Sequence, residues 1–140
     1  MAKEKLKPWE LAGKSPVQRT TAVWNNRKES GSDITWQPVE RHFGRGKLAR
    51  KYDLFGFADY IYMEAGRTVL VQVGGPGEHK AHRDKILAEP RALQWLRCGN
   101  DITLVTWSKK CIGGRGSVKR WRPRWEQITL ADFIERGIYV

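Results

Sequence analysis

Cysteine is scarce in this chain: among 140 residues only Cys98 and Cys111 carry a thiol, and neither belongs to a C-x-x-C pair. A disulfide framework normally needs more cysteines in a shorter secreted chain, so both read as free thiols. A zinc site built on them would need imidazole partners, and His42, His79 and His82 are the only histidines. Long apolar runs are also missing. Nothing approaches the ~18–20 residues that cross a bilayer. The opening MAKEKLKPWELAGK has charges with no apolar stretch behind them, so no secretory signal is expected and a cytosolic location is. Internal repeats and low-complexity tracts are absent. Acids are few, 15 against 26 lysines and arginines, for a net charge of +11.

That imbalance is uneven. From Lys109 to Arg124 the chain carries Lys109, Lys110, Arg115, Lys119, Arg120, Arg122 and Arg124 with no acid among them. Such a cationic field draws polyanions and speeds their association. A membrane surface is the competing polyanion, but no basic amphipathic helix with a broad apolar face is visible. The expected partner is nucleic acid, DNA in the first place, with no membrane role. A merely soluble basic surface is the plain alternative.

The length suits one domain, and 40% hydrophobic residues with seven Trp supply a core. Residues 1–14 read as a basic N-terminal arm pinned by Trp9 and Leu11, and residues 15–140 as the domain, with a basic extension from about Lys109. Ser15 can cap a helix, Pro16 suits its first position and Gln18 completes a capping box, so a helix is expected to run to Gly31. A strand follows from Ile34 to Arg41, with Pro38 marking an edge or a bulge. Gly44 to Lys51 (GRGKLARK) reads as a basic loop whose Arg45 and Lys47 are further candidates for nucleic-acid contact. Two strands, Leu54 to Met63 and Thr68 to Val73, are joined by Glu64-Ala65-Gly66-Arg67 as a hairpin. After Gly74-Gly75-Pro76-Gly77 come helices from Glu78 to Ala88 and from Pro90 to Arg97. Ile102 to Trp107 is a strand expected to run parallel to an earlier one. Trp125 to Ile128 is extended, and Thr129 caps a short helix to Ile134. The fold class is α/β, a mixed central sheet flanked by helices.

This order, with Asp53-Leu54-Phe55-Gly56-Phe57-Ala58-Asp59 and the later Val71-Gln72-Val73, resembles the PD-(D/E)XK nuclease superfamily. Within it the chain is most similar to small phage and bacterial proteins of Holliday-junction-resolvase-like or VRR-nuclease-like type, over roughly residues 15–108. The resemblance implies a restriction-endonuclease-like αβββαβ core, a Mg²⁺ or Mn²⁺ cofactor, and residence in a bacterial or phage-infected cytosol. Asp59 falls at the family's Asp. The third strand departs from the family motif: Gln72 stands where an acid is usual and Gly74 where Lys is usual. Gln72 can offer a carbonyl but no charge, and a plain buried amide is an equal reading. Lys85, on the following helix, could replace the missing lysine, with a solvated helix surface as the simpler reading.

The chemistry can be stated without the resemblance. Phosphodiester hydrolysis needs a hard divalent cation, oxygen ligands and an activated water. Acids on neighbouring strands can converge on one ion. Asp59 is the first candidate ligand, with Gln72; Asp53 is the alternative acid, on the same face if the strand is regular. Glu40 is an additional acid, unless it pairs with Arg41 or Arg45. His79 and His82 read as phosphate-contacting or surface histidines before bases. Trp107, Trp121 and Trp125 interleave with the basic run as core residues or stacking platforms. Three functions follow in order: a metal-dependent endonuclease for branched or structured DNA, a catalytically degenerate relative that only binds DNA, and a packaging or interaction protein with a basic face. Resolvase-like proteins act as dimers on symmetric junctions, so a homodimer is compatible, although no residue here fixes an interface.

Overall fold

Ser15 opens the first helix by a reciprocal pair of bonds: its Oγ accepts the Gln18 amide at 3.1 Å, and Gln18 Oε1 accepts the Ser15 amide at 2.9 Å. With Pro16 at the first position, α1 (Pro16–Glu29) starts and ends close to where its residues demand. The computed structural model describes residues 6–111, 113 and 118–140. Residues 1–5 of the basic arm and Arg115 lie outside the described residues. The rest of the arm is held by Arg19, whose guanidinium donates to the carbonyls of Trp9 and Leu11.

The strands are β1 (Thr35–Pro38), β2 (Arg41–Phe43), β3 (Arg50–Tyr52), β4 (Tyr60–Glu64), β5 (Arg67–Gly74), β6 (Asp101–Cys111) and β7 (Lys119–Ile128). Helices α2 (His79–Leu87) and α3 (Pro90–Arg97) separate β5 from β6, and α4 (Leu130–Glu135) follows β7. Five strands form one mixed sheet in the order β1-β4-β5-β6-β7. Among the described residues only β5 and β6 pair in parallel, as the helical crossover requires. β1, with its proline, lies at the edge. In the β4–β5 hairpin Glu64 pairs with Arg67, leaving Ala65 and Gly66 as the two turn residues, both at positive φ (51° and 78°). A two-residue turn of this kind matches the twist of the strands.

Val69, Leu70 and Val71 are fully buried because β5 is covered on both faces. One face packs under α1, where Trp24 meets Tyr60 and Tyr62 at 5.5 and 5.4 Å and the Trp107 indole donates to Thr20 Oγ1 at 2.9 Å. The other packs Leu70, Leu104 and Ile128 against α2, α3 and α4.

Four expectations are corrected. The strand expected from Ile34 to Arg41 is two pieces, with β2 leaving the main sheet to pair with β3. That pairing turns the expected Gly44–Lys51 loop into the tip and second strand of a small basic hairpin. Leu54–Asp59 is not strand: Phe55 and Gly56 sit at φ 55° and 78°, and the chain folds back so that Ala58 bonds Leu54 at 2.9 Å. This tight turn buries Phe57 and Ala58 in the core. Finally, the described basic residues of the run, Lys109, Lys110, Lys119, Arg120, Arg122 and Arg124, all lie on strands. β6 and β7 stay paired out to Cys111 and Lys119. Along β7, Trp121, Pro123 and Trp125 alternate with Arg120, Arg122 and Arg124, a period of two that the density of positive charge concealed.

Candidate metal centre

Asp59 is locked immediately ahead of β4, its amide bonded to the Val71 carbonyl and its carbonyl accepting the Val39 amide. Both Asp59 and Gln72 therefore point to the α2 face at the end of the sheet. Asp59 Oδ2 accepts the Val73 amide and Gln72 Nε2, each at 2.8 Å. The Leu54–Ala58 turn carries Asp53 back over the same point, so Asp53 arrives by a turn and not along a strand. Glu40, between β1 and β2, closes the third side. Carboxylate oxygens of Glu40, Asp53 and Asp59 lie within 4.8 Å of one another.

Among the described residues three buried oxygens here have no hydrogen-bond partner: Asp53 Oδ1, Asp59 Oδ1 and Gln72 Oε1. Buried acceptors left unpaired are costly. All three residues line one cavity of about 370 Å³. This donor set is all oxygen and mostly anionic, and it fits a hard divalent cation such as Mg²⁺ or Mn²⁺. Gln72 Nε2 also donates to its neighbour Val73 O at 3.2 Å, which leaves its carbonyl as the free end.

The electrostatics agree. Asp59 is 3% exposed, and burial pushes its pKa up to about 7, with Asp53 and Glu40 adding to the rise. The Val73 amide and Lys51 oppose it. Lys51, on β3, places its ammonium 3.0 Å from Glu40, 3.8 Å from Asp59 and 3.9 Å from Asp53. One monovalent charge thus sits among three carboxylates. Glu40 pairs with Lys51 and, at 3.5 Å, with His42, in place of the arginines that the sequence suggests.

Lys85 reaches this cavity from α2, its Nζ 3.6 Å from Asp53 Oδ2. His82, one turn earlier, has a specific steric role. A Cβ on Gly74 would stand 2.6 Å from His82 Cδ2, 2.9 Å from its Nε2 and 3.1 Å from Thr106 Cγ2. The imidazole fills the space that a side chain at position 74 would need. Burial, and then Lys85, hold the His82 pKa below its usual value, so the ring is neutral at neutral pH. His79 is no surface residue: it is buried between Thr106 Oγ1 (2.7 Å) and Glu126 Oε1 (2.8 Å), tying α2 to β6 and β7.

The basic candidates fall on two elements beside the acids. β5 ends where Gly74 faces Thr106, but β6 continues for five residues to Cys111. Lys109, Lys110, Lys119, Arg120 and Arg122 therefore ride on a two-stranded ribbon extending about 17 Å past the sheet, at ~3.4 Å per residue. Arg124 stands at its base, opposite Thr106. Arg45 and Lys47 are exposed at the tip of the β2–β3 hairpin. Trp107 is core, whereas Trp121 and Trp125 border the surface under Arg19 and Arg27. Sequence reasoning misses Lys51 and the steric part of His82. The available signal for Lys51 is its place two residues before Asp53, the spacing that puts neighbours on one face of an extended chain.

No family model, curated protein or solved structure matches the chain. Among the described residues no helix is long and apolar enough to cross a membrane.

Proposed function

We propose that this protein is a Mg²⁺- or Mn²⁺-dependent DNA endonuclease of PD-(D/E)XK type, acting on branched or structured DNA. The observation that carries the reading is the convergence of Glu40, Asp53 and Asp59 within 4.8 Å, with buried oxygens that take no hydrogen bond among the described residues, beside a cationic ribbon. The order α1, β1, β4, β5, α2, β6 supports it, being that expected of an αβββαβ core, here with the β2–β3 hairpin inserted after β1 and α3 after α2.

Asp59, Asp53 and Glu40 would hold the ion, with the Gln72 carbonyl as a neutral ligand. When bound, it supplies Lewis acidity toward the scissile phosphate and a more acidic water. The Lys85 ammonium stands where it can offset negative charge on the phosphate. The neutral His82 imidazole, bonded to Glu78 at 3.3 Å, can accept or relay a proton at the cavity wall. The ribbon and the Arg45–Lys47 hairpin tip hold DNA against an acid-lined cleft that would otherwise repel it.

A second reading is a nuclease-like fold that only binds DNA. The Lys51 ammonium among the three carboxylates favours it, because a lysine there neutralises the cluster without an ion.

Cleavage of junction, flap and duplex DNA in Mg²⁺ and Mn²⁺ separates the two. The expected result is cutting by the wild type and a loss of about 1,000-fold or more in Asp59→Asn, on the scale of losing several kcal/mol of metal-centred stabilisation. DNA binding by that variant should be unchanged or tighter. A wild type that cuts no DNA form in either ion moves the protein to the second reading.

A further inference from the structure

A cavity of about 690 Å³ lies outside the acid cleft, between the N-terminal arm, the start of α1 and the ribbon. Its cationic lining is Lys14, Arg19, Lys109, Lys119 and Arg120, against one carboxylate, Glu10. Glu10 is engaged elsewhere, accepting the Lys7 amide at 2.9 Å and lying 3.7 Å from Arg122. None of the five cations has a carboxylate partner among the described residues. Arg19 is the most telling. It is 1% exposed, and among the described residues it bonds only two backbone carbonyls and its Nε has no partner. A buried cation with no counter-charge is costly, and an incoming anion relieves that cost.

The cavity also has an aromatic wall. The Arg19 guanidinium lies 4.1 Å from the Trp121 ring centre and fixes the indole, while the exposed Lys109 amine lies 5.6 Å from it. Fixed aromatic rings among cations are how proteins hold unpaired bases and their phosphates. The volume is that of a small-ligand pocket, enough for a nucleotide or two and far too small for a duplex.

Position supplies the last element. Lys14, Ser15 and Arg19 line this cavity, whereas Pro16 and Val17 line the acid cleft. The two openings thus flank the first turn of α1, about 5.4 Å of helix. We propose that this cavity binds the unpaired strand of a DNA substrate, with a base stacked on Trp121 and phosphates held by Lys14, Lys109, Lys119 and Arg120. The proposal deepens the nuclease reading: the preferred substrate carries single-stranded DNA within a few nucleotides of the cut.

The test is binding of the full chain to labelled DNA in EDTA, where no cutting occurs. A single strand of about 12 nucleotides, within the range of single-strand site sizes, is compared with a duplex of the same sequence by fluorescence anisotropy. The variants are Lys109→Ala/Lys119→Ala/Arg120→Ala, two exposed residues and the half-buried Arg120, and Trp121→Phe, which keeps an aromatic ring in place. The triple variant should lower the ratio of single-strand to duplex affinity by about tenfold, and Trp121→Phe should lower it in the same direction. A ratio that falls less than about threefold in the triple variant, whether because both affinities drop together or because neither moves, overturns the proposal. Absence of cleavage in Mg²⁺ with the single-strand preference intact overturns the nuclease reading alone.

Discussion

The acid cleft and the basic ribbon occupy the same end of the sheet, yet they hold charge in opposite ways. In the cleft, Asp59 is 3% exposed and every group is set by its neighbours: Val73, Gln72, Lys51 and the other two acids. On the ribbon, Lys109, Lys110, Lys119 and Arg120 stand in or near water, spaced along paired strands. Interior charge is expensive, so its effects are large, coupled and specific to single atoms. Surface charge is cheap, so its effects are small, additive and screened by salt. Each kind of charge can be broken by a different measurement.

The largest effect belongs to the titration of Asp59. Its folded pKa of about 7 lies above the ordinary 3.8, so the folded state holds a proton that the unfolded chain has already lost. Stability from this group is fully present below about pH 4. It falls as pH rises toward 7, by about 1.4 kcal/mol per unit, and is constant above. In EDTA, urea unfolding should show Asp59→Asn gaining on the wild type across that window. Mg²⁺ should erase the gain by binding the ionised form. A difference that stays flat from pH 4 to 7 would mean that the carboxylate is not desolvated in the fold.

Next in size is the steric exchange between Gly74 and His82. Gly74→Lys should destabilise by about 1–3 kcal/mol through overpacking. Combined with His82→Ala it should cost less than the two single changes added together, because the ring and the new side chain compete for one space. Additive melting temperatures would mean that Thr106, and not His82, forbids a side chain there.

Much of this is legible in the sequence alone. The α1 capping box, the edge strand at Pro38, the β4–β5 hairpin and the parallel β6 all rest on local signals or on short connections. Asp59, Gln72, Asp53, Glu40 and Lys85 all stand out by residue type and position, and Asp53, Asp59, Gln72 and Lys85 line one cavity, with Glu40 beside its acids. What escapes has a common cause. Asp53 arrives through a turn that requires Phe55 at positive φ, which no propensity rule predicts for a bulky residue. Lys51 joins the acids only because β2 and β3 form their own hairpin. His82 matters through a contact across the sheet end, with a glycine whose lack of a side chain reads in sequence as a missing lysine. Long-range placement decides each of these.

A smaller change is expected from Lys51→Met, which keeps most of the side chain's length and removes its charge. The half-exposed ammonium competes for the position among the carboxylates, 3.0 Å from Glu40. Mn²⁺ affinity, measured by calorimetry at a pH above 7 so that Asp59 is ionised, should rise about tenfold, since one competing charge near the surface is worth roughly 1–4 kcal/mol before desolvation. Unchanged or weaker Mn²⁺ binding would make Lys51 a partner of the ion and not its rival.

The smallest effect is expected on the ribbon, and its form matters more than its size. Lys110 and Arg124 border a third, smaller cavity on the α2 side, together with Gly75, Gly77 and Lys80. Neither lines the cavity beside Trp121, so they serve duplex phosphates and not the single-strand cavity. Each phosphate contact adds about 0.9 to the slope of log affinity against log salt on duplex DNA. Lys110→Ala with Arg124→Ala should therefore flatten that slope by about 2 while changing affinity modestly at high salt, where little counterion release remains to be gained. The loss should be the same for any duplex sequence, since phosphates carry no sequence information. A double variant with an unchanged slope would take the α2 side of the ribbon out of the DNA interface. A loss that depended on sequence would put Arg124 in a groove against base edges, and the ribbon would then be a reader and not only a clamp.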